Sequence, residues 1–337
     1  MIFKRFLHSN LTRKIGFAFD IDGVLLHSNS PIPRANDALK LLHARSIPFI
    51  LLTNGGGTLE HERAEFISKK LGVEIKTSQL VQSHTPFKKL VPTFENILAI
   101  GPHTVRQVAE NYGFKNVIHS SDIIRYNNII TPFSGLRNQN DELMKISKNI
   151  KNIHETKFDS ILIFNDSRDW GGDIQIISDI LNSDNGRINT KRSYKSEVPS
   201  IPIYFSNKDL LYSNGYNINR FGQGAFRYIV RELYRKLNDG KELQDNIYGK
   251  PFPVMYNFGK ECLEKQAGKI NEKDIYMIGD NPNSDIIGAN KNGWSSCLVR
   301  SGVYQDGDKL DDDHTPGLLV NDVYEAVETV LKNNQLL

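Results

Sequence analysis

Two aspartates that directly follow an apolar segment are the first residues whose type and spacing suit catalysis. Asp20 and Asp22 come after Ile15–Phe19, a predicted strand, and Gly23 allows the chain to turn sharply behind them. In an open α/β sheet, ligands bind beyond the carboxyl ends of the strands, so this loop can direct both carboxylates at one point. One carboxylate can attack phosphorus while the other protonates the leaving oxygen and later activates water.

Two further segments suit the binding of a phosphate group. Thr53, Asn54 and Gly55 directly follow a second predicted strand and precede a helix, where a hydroxyl group and free backbone N–H groups form an anion site. Lys250, held between a glycine and a proline, can place a point charge on a phosphate oxygen. Considered alone, the segment from Thr53 to Gly55 is better explained as a glycine turn, and Lys250 as a solvated surface lysine.

A second acidic pair resembles the first in its position after a strand. Asp280 follows the predicted strand Ile275–Ile278, and Asp285 is expected in the first turn of the next helix. Mg²⁺ binds proteins through a few carboxylates and keeps water molecules in its remaining positions. The pair therefore predicts a magnesium site, and the alternative is an aspartate helix cap followed by a turn.

A loop in the middle of the chain combines charge with an aromatic surface. Asp166, Arg168, Asp169 and Trp170 follow the predicted strand Ser160–Phe164. The arginine can bind a second anionic group of a substrate, and the tryptophan can stack on a ring or cover the site. An internal Arg–Asp pair with the tryptophan in a hydrophobic core explains the same residues equally well.

Strands and helices that alternate along the chain must position these residues. Short apolar runs alternate with helix-periodic segments, which is typical of a parallel sheet covered by helices. Strands are predicted at Ile15–Phe19, Ile47–Leu52, Ile97–Ile100, Ser160–Phe164, Ile201–Phe205, Ile275–Ile278 and Cys297–Val299, and helices at Arg34–Arg45, Thr58–Leu71, Gly224–Leu237 and Val323–Leu331. The pattern predicts an α/β protein with a Rossmann-like, doubly wound parallel sheet.

The chain is long enough for two domains. Its 337 residues exceed the length that one domain usually needs. We predict a core made of residues 15–80 and 201–337, with residues 81–200 inserted between its halves as a second α/β domain.

The first 14 residues differ from the rest in charge and pattern. They place apolar residues at helical spacing among basic residues and contain no acid, which is the pattern of a mitochondrial presequence. The alternative is the basic N-terminus of a cytoplasmic protein. Removing the four basic residues of this segment leaves 38 of the 42 basic residues against 39 acidic ones. The body of the protein is therefore nearly neutral and offers no basic face for nucleic acid.

Composition excludes several other classes. No apolar run approaches the roughly 18 residues that a membrane span requires. Cys262 and Cys297 are the only cysteines, too few for a tetrahedral zinc site of cysteines alone or for a disulfide framework. Nothing in the sequence indicates an oligomeric state.

The order of the motifs resembles the haloacid dehalogenase (HAD) superfamily. An acid pair, a hydroxyl residue, a lysine and a second acid pair stand in its four motif positions, at Asp20 and Asp22, Thr53, Lys250, and Asp280 and Asp285. The long gap between the second and third motifs resembles subclass IIA, which inserts an α/β cap domain there. Phe205–Asp209 resembles the Thr-Asn-Pro-Asp segment of that subclass, with Lys208 in place of the proline.

Several segments are similar to one family in particular, the cat eye syndrome critical region protein 5 family of mitochondrial hydrolase-like proteins. They are Asn165–Gly171, Asp173–Ile176 and Phe221–Phe226. The resemblance implies a mitochondrial location, in the matrix, and sequence groupings of the family connect it with glycerophospholipid metabolism.

The superfamily resemblance also implies a reaction, the hydrolysis of a small phosphorylated metabolite with Mg²⁺. Asp20 would be the nucleophile and Asp22 the acid and base. Mg²⁺ would bind Asp20, Asp280 and the backbone carbonyl of Asp22, with support from Asp285, while Thr53, Asn54, Gly55 and Lys250 hold the phosphate. The alternatives are a binding or scaffold protein on the same fold, and a phosphotransferase.

Overall fold

Two parallel sheets organise the described part of the chain. The computed structural model describes residues 14–212, 216 and 218–337, so residues 1–13 of the predicted presequence lie outside the described residues. One sheet has six strands and the other five, and two short antiparallel pairs accompany them. In the described ranges no helix combines the length and the apolar composition that a membrane crossing requires.

The N-terminal segment supplies three strands of the six-stranded sheet. Its elements are β1 (Gly16–Phe19), β2 (Leu26–His27), β3 (Ser30–Pro31), α1 (Ala35–Ala44), β4 (Phe49–Leu52), α2 (Glu60–Leu71) and β5 (Leu80–Val81). β1 and β4 are buried along their whole length, as expected for parallel strands that helices cover on both faces.

The five-stranded sheet follows, and we call this part of the chain the cap. Its elements are β6 (Asn96–Ile100), α3 (Val105–Tyr112), β7 (Asn116–His119), α4 (Ser120–Tyr126), α5 (Asn140–Ile146), β8 (Ser160–Ile163), α6 (Trp170–Leu181), β9 (Ile203–Phe205), β10 (Leu211–Tyr212), β11 (Arg220–Phe221), α7 (Gln223–Leu237) and β12 (Asn246–Ile247). The strands lie in the order β12-β9-β8-β6-β7 and are parallel. β10 and β11 form a separate antiparallel hairpin.

The C-terminal segment returns to the first sheet, which we call the core. Its elements are α8 (Pro253–Ala267), β13 (Ile275–Gly279), α9 (Ile287–Lys291), β14 (Ser295–Val299), β15 (Leu318–Val320) and α10 (Val323–Asn333). The core order is β15-β14-β13-β1-β4-β5, so β1 and β13 from the two ends of the sequence are neighbours. The predicted α/β class, the doubly wound parallel sheet and the inserted cap are confirmed.

The predicted boundary of the cap at residue 200 is wrong. Ile203 of β9 pairs with Ile161 of β8, and Asn246 of β12 pairs with Tyr204, so both strands belong to the cap sheet. The side chain of Phe226 on α7 joins the cap's hydrophobic cluster as well. A short buried apolar strand has the same composition in either sheet, and its sequence therefore cannot reveal which sheet it joins.

Candidate active site

Asp20 lies at the carboxyl end of β1, at the floor of a cleft between core and cap. Its backbone N–H donates to the carbonyl of Ile278 over 2.9 Å, which fixes the loop against β13. Asp20, Lys250 and Asp280 line the cleft from the core, and residues of the cap line its opposite side. The cleft encloses about 430 Å³, within the size range of small-molecule sites.

Lys250 connects two of the motif aspartates. Its Nζ donates to Oδ1 of Asp20 and to Oδ1 of Asp285, each over 2.7 Å, and its side chain is buried. Burial alone would lower the pKa of this ammonium group, but the two carboxylates outweigh that effect and raise it. Lys250 is therefore a fixed cation at the floor of the cleft, and the interpretation as a solvated surface lysine is wrong.

The turn before Lys250 requires a glycine. Gly249 has a φ of 78°, and a Cβ atom there would lie 2.4 Å from the carbonyl oxygen of Ser206. The N–H of Lys250 donates to Oδ1 of Asn54 over 2.7 Å, which anchors the same turn to the end of β4.

Asp280 and Asp285 are held by backbone groups. The N–H of Val303 donates to Oδ2 of Asp280 over 2.7 Å, and the N–H of Asn281 donates to Oδ2 of Asp285 over 3.1 Å. Asp285 lies in a π-helical turn that precedes α9. The hydroxyl of Tyr256 donates a hydrogen bond to the backbone carbonyl of Asp285 over 3.1 Å, which stabilises this turn.

Two glycines permit the carboxylate of Asp280 to approach the loop after β1. A Cβ atom would lie 2.3 Å from Oδ2 of Asp280 at Gly23 and 2.0 Å from it at Gly302. Gly23 also has a φ of 87°, which side chains rarely adopt. The sequence pattern Asp-x-Asp-Gly is thus explained by close packing against the second acid pair.

The three carboxylates at the floor form a group that fits a divalent cation. Asp20, Asp280 and Asp285 offer oxygen atoms that all lie within 4.8 Å of one another. Burial and then the neighbouring carboxylates raise the pKa of Asp280 well above its ordinary value, and burial raises the pKa of Asp285 to about 6. Lys250 supplies a single positive charge among three carboxylates. A hard cation that prefers carboxylate oxygens, such as Mg²⁺, matches both the charge and the donor atoms.

Asp22 lies outside that carboxylate group and faces the cleft. Its side chain is exposed, in contrast to the buried Asp20. Reduced solvation in the concave site raises its pKa, and the positive charge of Arg63 is the main influence that opposes the rise. Asp20 and Asp22 thus line one cavity in different environments, as different roles require.

The loop after β4 carries the predicted phosphate-binding residues. Thr53 is buried, and its Oγ1 accepts the N–H of Gly55 over 2.9 Å. The side-chain amide of Asn54 donates to Oδ2 of Asp209 over 2.9 Å and to the carbonyl of Lys250 over 3.1 Å. Asn54 therefore links the core to the segment after β9, and the phosphate contacts of all three loop residues stay predictions.

The predicted group of four cap residues is divided between two environments. Asp166 and Arg168 line the cleft, and Nη1 of Arg168 donates to the backbone carbonyl of Asp166 over 3.2 Å. Asp169 instead caps α6 by accepting the N–H of Gly172 over 3.3 Å. Trp170 packs against Phe226 with ring centroids 5.5 Å apart.

Several residues of the cleft were not found from the sequence. Arg63 on α2 and Tyr212 on β10 line it, together with Gln82 and Asn165. Arg63 is one basic residue among several on an amphipathic helix, so nothing in its spacing distinguishes it. The sequence did contain an indication of Asp209, because this residue ends the Phe205–Asp209 segment that resembles the Thr-Asn-Pro-Asp motif of the subclass.

Comparisons with known proteins identify the family of this chain. Family models described as haloacid dehalogenase-like hydrolase and HAD-hydrolase-like match residues 17–115 and 247–326. A Saccharomyces cerevisiae protein named as a mitochondrial hydrolase is 51% identical over 354 aligned positions, which cover 98% of this chain and 99% of that relative. The chain belongs to the haloacid dehalogenase-like hydrolases, as its motif order indicated.

A second relative carries an additional domain. A Schizosaccharomyces pombe protein named as a fusion of CMP-forming cardiolipin synthase and mitochondrial hydrolase is 38% identical over 314 residues. The match covers 90% of this chain and 52% of the fusion, so the chain corresponds to about half of that protein.

Solved structures share the fold at low sequence identity. A p-nitrophenyl phosphatase from Archaeoglobus fulgidus superposes with a TM-score of 0.64 at 15% identity, covering 94% of this chain and 99% of that one. NagD from Escherichia coli superposes with a TM-score of 0.61 at 16% identity, covering 93% and 98%. The core with an inserted cap is therefore an arrangement that these structures have in common.

Proposed function

We propose that this hydrolase cleaves a phosphate monoester with Asp20 as the nucleophile and with Mg²⁺. The observation that carries the proposal is the buried group of Asp20, Asp280 and Asp285 with Lys250 at the floor of the cleft. A nucleophile, a cation site and a fixed positive charge are thereby concentrated where strand ends meet a cavity.

The reaction would proceed in two displacements. An oxygen of Asp20 attacks phosphorus, the bond from phosphorus to the leaving oxygen breaks, and Asp22 donates a proton to that oxygen. Water then attacks the phosphorus of the aspartyl-phosphate, Asp22 accepts a proton from it, and inorganic phosphate leaves with Asp20 regenerated. Lys250 and the loop from Thr53 to Gly55 would hold the phosphoryl oxygens during both steps.

Asp20, Asp280 and Asp285 would hold Mg²⁺, and the backbone carbonyl of Asp22 is the further ligand that the family resemblance implies. When bound, the ion supplies positive charge to the phosphoryl oxygens. The close approach of Gly23 and Gly302 to Asp280 keeps this acid pair beside the first one.

The substrate would be a small phosphorylated metabolite, chosen by the cap. Arg168 and Tyr212 line the cleft from the cap, and we place the leaving part of the substrate against them. The names of the two relatives support a mitochondrial location over the cytoplasm, and within mitochondria we propose the matrix. The fusion with a cardiolipin synthase supports a connection with glycerophospholipid metabolism.

The test is phosphate release from a panel of phosphate monoesters with Mg²⁺. We expect Asp20→Asn to lower turnover by several orders of magnitude. Asp37→Asn, at an exposed acid in the first turn of α1, is the control and should keep wild-type turnover. More than a tenth of wild-type turnover in Asp20→Asn would refute the nucleophile, and an inactive wild type that still binds Mg²⁺ would favour a binding protein.

A further inference from the structure

Exposed apolar side chains are concentrated on the hairpin of the cap. The residues between 45% and 67% exposed in this part of the chain are Leu210, Leu211, Tyr212, Tyr216, Ile218, Phe221 and Tyr228. Single exposed apolar residues are normal on protein surfaces, but several of them close together in the sequence, on a hairpin and the helix that follows it, suggest an interaction site. We call this group the hairpin surface.

The hairpin surface borders the mouth of the active-site cleft. Leu211 and Tyr212 belong to it and also line the cleft, and Gly222 continues the same wall. Leu211 pairs with Phe221 across the hairpin, and both side chains are exposed. A substrate whose phosphate reaches Lys250 can therefore place an apolar leaving part against Leu211 and Tyr212.

The segment that forms this surface contains no acidic residue, and Arg220 adds a positive charge to it. The sequence from Leu210 to Arg231 contains no aspartate or glutamate and includes Arg220. The guanidinium of Arg220 lies 5.1 Å from the centre of the Tyr216 ring, on the exposed hairpin. Tyrosine, phenylalanine and arginine side chains together suit the boundary between an anionic headgroup layer and acyl chains.

We infer that the hairpin surface docks on an anionic phospholipid bilayer and that the cleft takes the phosphomonoester headgroup of a lipid in it. This inference rests on the proposed function for its chemistry and names the substrate class. Such a lipid supplies a phosphate for the polar floor and an apolar body for the hairpin. A partner protein covering Leu211 and Tyr212 would also cover the cleft mouth, whereas a bilayer presents substrate there.

Binding is tested apart from catalysis by co-sedimentation of the full chain with vesicles. The vesicles contain phosphatidylcholine alone, or with a fifth of phosphatidic acid or of phosphatidylglycerol. We expect Ile218→Ser/Phe221→Ser to lower the partition coefficient on both anionic vesicles at least tenfold. Val198→Ser/Leu237→Ser removes apolar groups that are 53% and 49% exposed near the opposite end of α7, about 20 Å away, and should retain binding within twofold.

Hydrolysis gives the second measurement. Phosphate release from phosphatidic acid in vesicles should fall about tenfold in Ile218→Ser/Phe221→Ser, while turnover of soluble p-nitrophenyl phosphate stays unchanged. Absence of vesicle binding, or equal binding by both double variants, would overturn the docking surface. A dimer that only Ile218→Ser/Phe221→Ser dissociates, without vesicle binding, would assign the surface to a second copy of the chain. If neither substrate is hydrolysed, the proposed function fails while the binding result still decides the docking surface.

Discussion

Nε2 of His84 accepts a hydrogen bond from the backbone N–H of Gly57 over 2.9 Å. This bond connects the loop after β4 to the segment between β5 and β6, which leads into the cap. Because Nε2 accepts, Nδ1 carries the ring hydrogen and faces the hydroxyl of Tyr112 over 2.8 Å. That hydroxyl donates to Oε1 of Glu60 over 2.5 Å. A chain of hydrogen bonds therefore runs from the loop after β4 through the cap helix α3 to the core helix α2.

This chain leads to a prediction for Tyr112. We expect Tyr112→Phe to lower kcat/KM about tenfold, or ~1.4 kcal/mol, because His84 then loses the contact that orients it toward Gly57. Glu60 keeps the hydroxyl of Thr85 and the ammonium of Lys88 as partners, each at 3.0 Å, so the variant should fold.

Steady-state kinetics and the melting temperature check this prediction. Tyr204→Phe is the matched control. The Tyr204 ring is partly buried against the same hydrophobic cluster as Tyr112, and its centroid lies 6.5 Å from that of the Phe87 ring. His84→Gln retains a side-chain acceptor and should recover part of the activity that His84→Ala loses. Equal effects of Tyr112→Phe and Tyr204→Phe on kcat/KM would contradict the role of the hydroxyl.

Lys250 gives a prediction about stability as well as activity. Lys250→Met leaves the carboxylates of Asp20 and Asp285 buried without their shared ammonium group, a loss that typically costs about 3–5 kcal/mol. We expect a lower melting temperature in a chelator and partial recovery on addition of Mg²⁺. Turnover should stay reduced by about a hundredfold or more, because the proposed contact of Lys250 with the phosphate is missing.

Melting curves with EDTA and with Mg²⁺ separate these effects. Lys265→Met, at an exposed position in the last turn of α8, is the control and should change neither quantity. An unchanged melting temperature of Lys250→Met in EDTA would mean that the ion pairs with Asp20 and Asp285 do not stabilise the fold.

Much of the site could be predicted from the sequence because its residues directly follow predictable elements. Asp20, Thr53 and Asp280 each come immediately after a buried apolar strand, and parallel strands bring their carboxyl ends to one edge of a sheet. The element alternation also predicted the α/β class.

The remaining features depend on contacts between distant segments. The pairing of β9 with β8 decides where the cap ends, and a three-residue apolar strand carries no mark of its partner. The contact of His84 with Gly57 joins residues 27 positions apart that have no recognisable spacing. Asp169 could be a helix cap or a substrate ligand, and only its bonds to α6 distinguish the two.

Arg168 and Trp170 are expected to respond differently to substitution. Arg168 is exposed and lines the cleft, so Arg168→Ala should raise KM about tenfold or more for the best substrate of the phosphate-ester panel. Hydrolysis of methyl phosphate, which is too small to extend far from the floor, should change little. Trp170→Ala should instead lower the melting temperature, because the ring packs against Phe226.

Kinetics on both substrates and melting curves for both variants check this pair of predictions. Equal losses of Arg168→Ala on the two substrates, accompanied by a lower melting temperature, would indicate that its charge stabilises the cap. The opposite result for Trp170, a raised KM at an unchanged melting temperature, would place that ring in contact with substrate.

Asp173 on α6 is expected to make stability depend on pH. Its side chain is buried, Oδ1 has no hydrogen-bond partner among the described residues, and burial raises its pKa to about 7. The folded state therefore binds a proton that the unfolded state, with a pKa near 3.8, releases. The contribution of Asp173 to the free energy of unfolding is greatest below pH 3.8 and falls as the pH rises to about 7. Above pH 7 this contribution no longer changes.

Asp173→Asn removes that dependence, since the amide is uncharged at every pH. We expect the variant to melt near the wild-type temperature at pH 4 and about 3 °C or more above it at pH 8. Buried histidines such as His84 and His119, whose pKa values burial lowers to about 4, contribute equally to both proteins, so the difference isolates Asp173. Asp184→Asn, at an exposed acid just after α6, should show no such difference. A melting difference between Asp173→Asn and wild type that does not grow between pH 4 and 7 would mean that Asp173 is already charged in the folded protein.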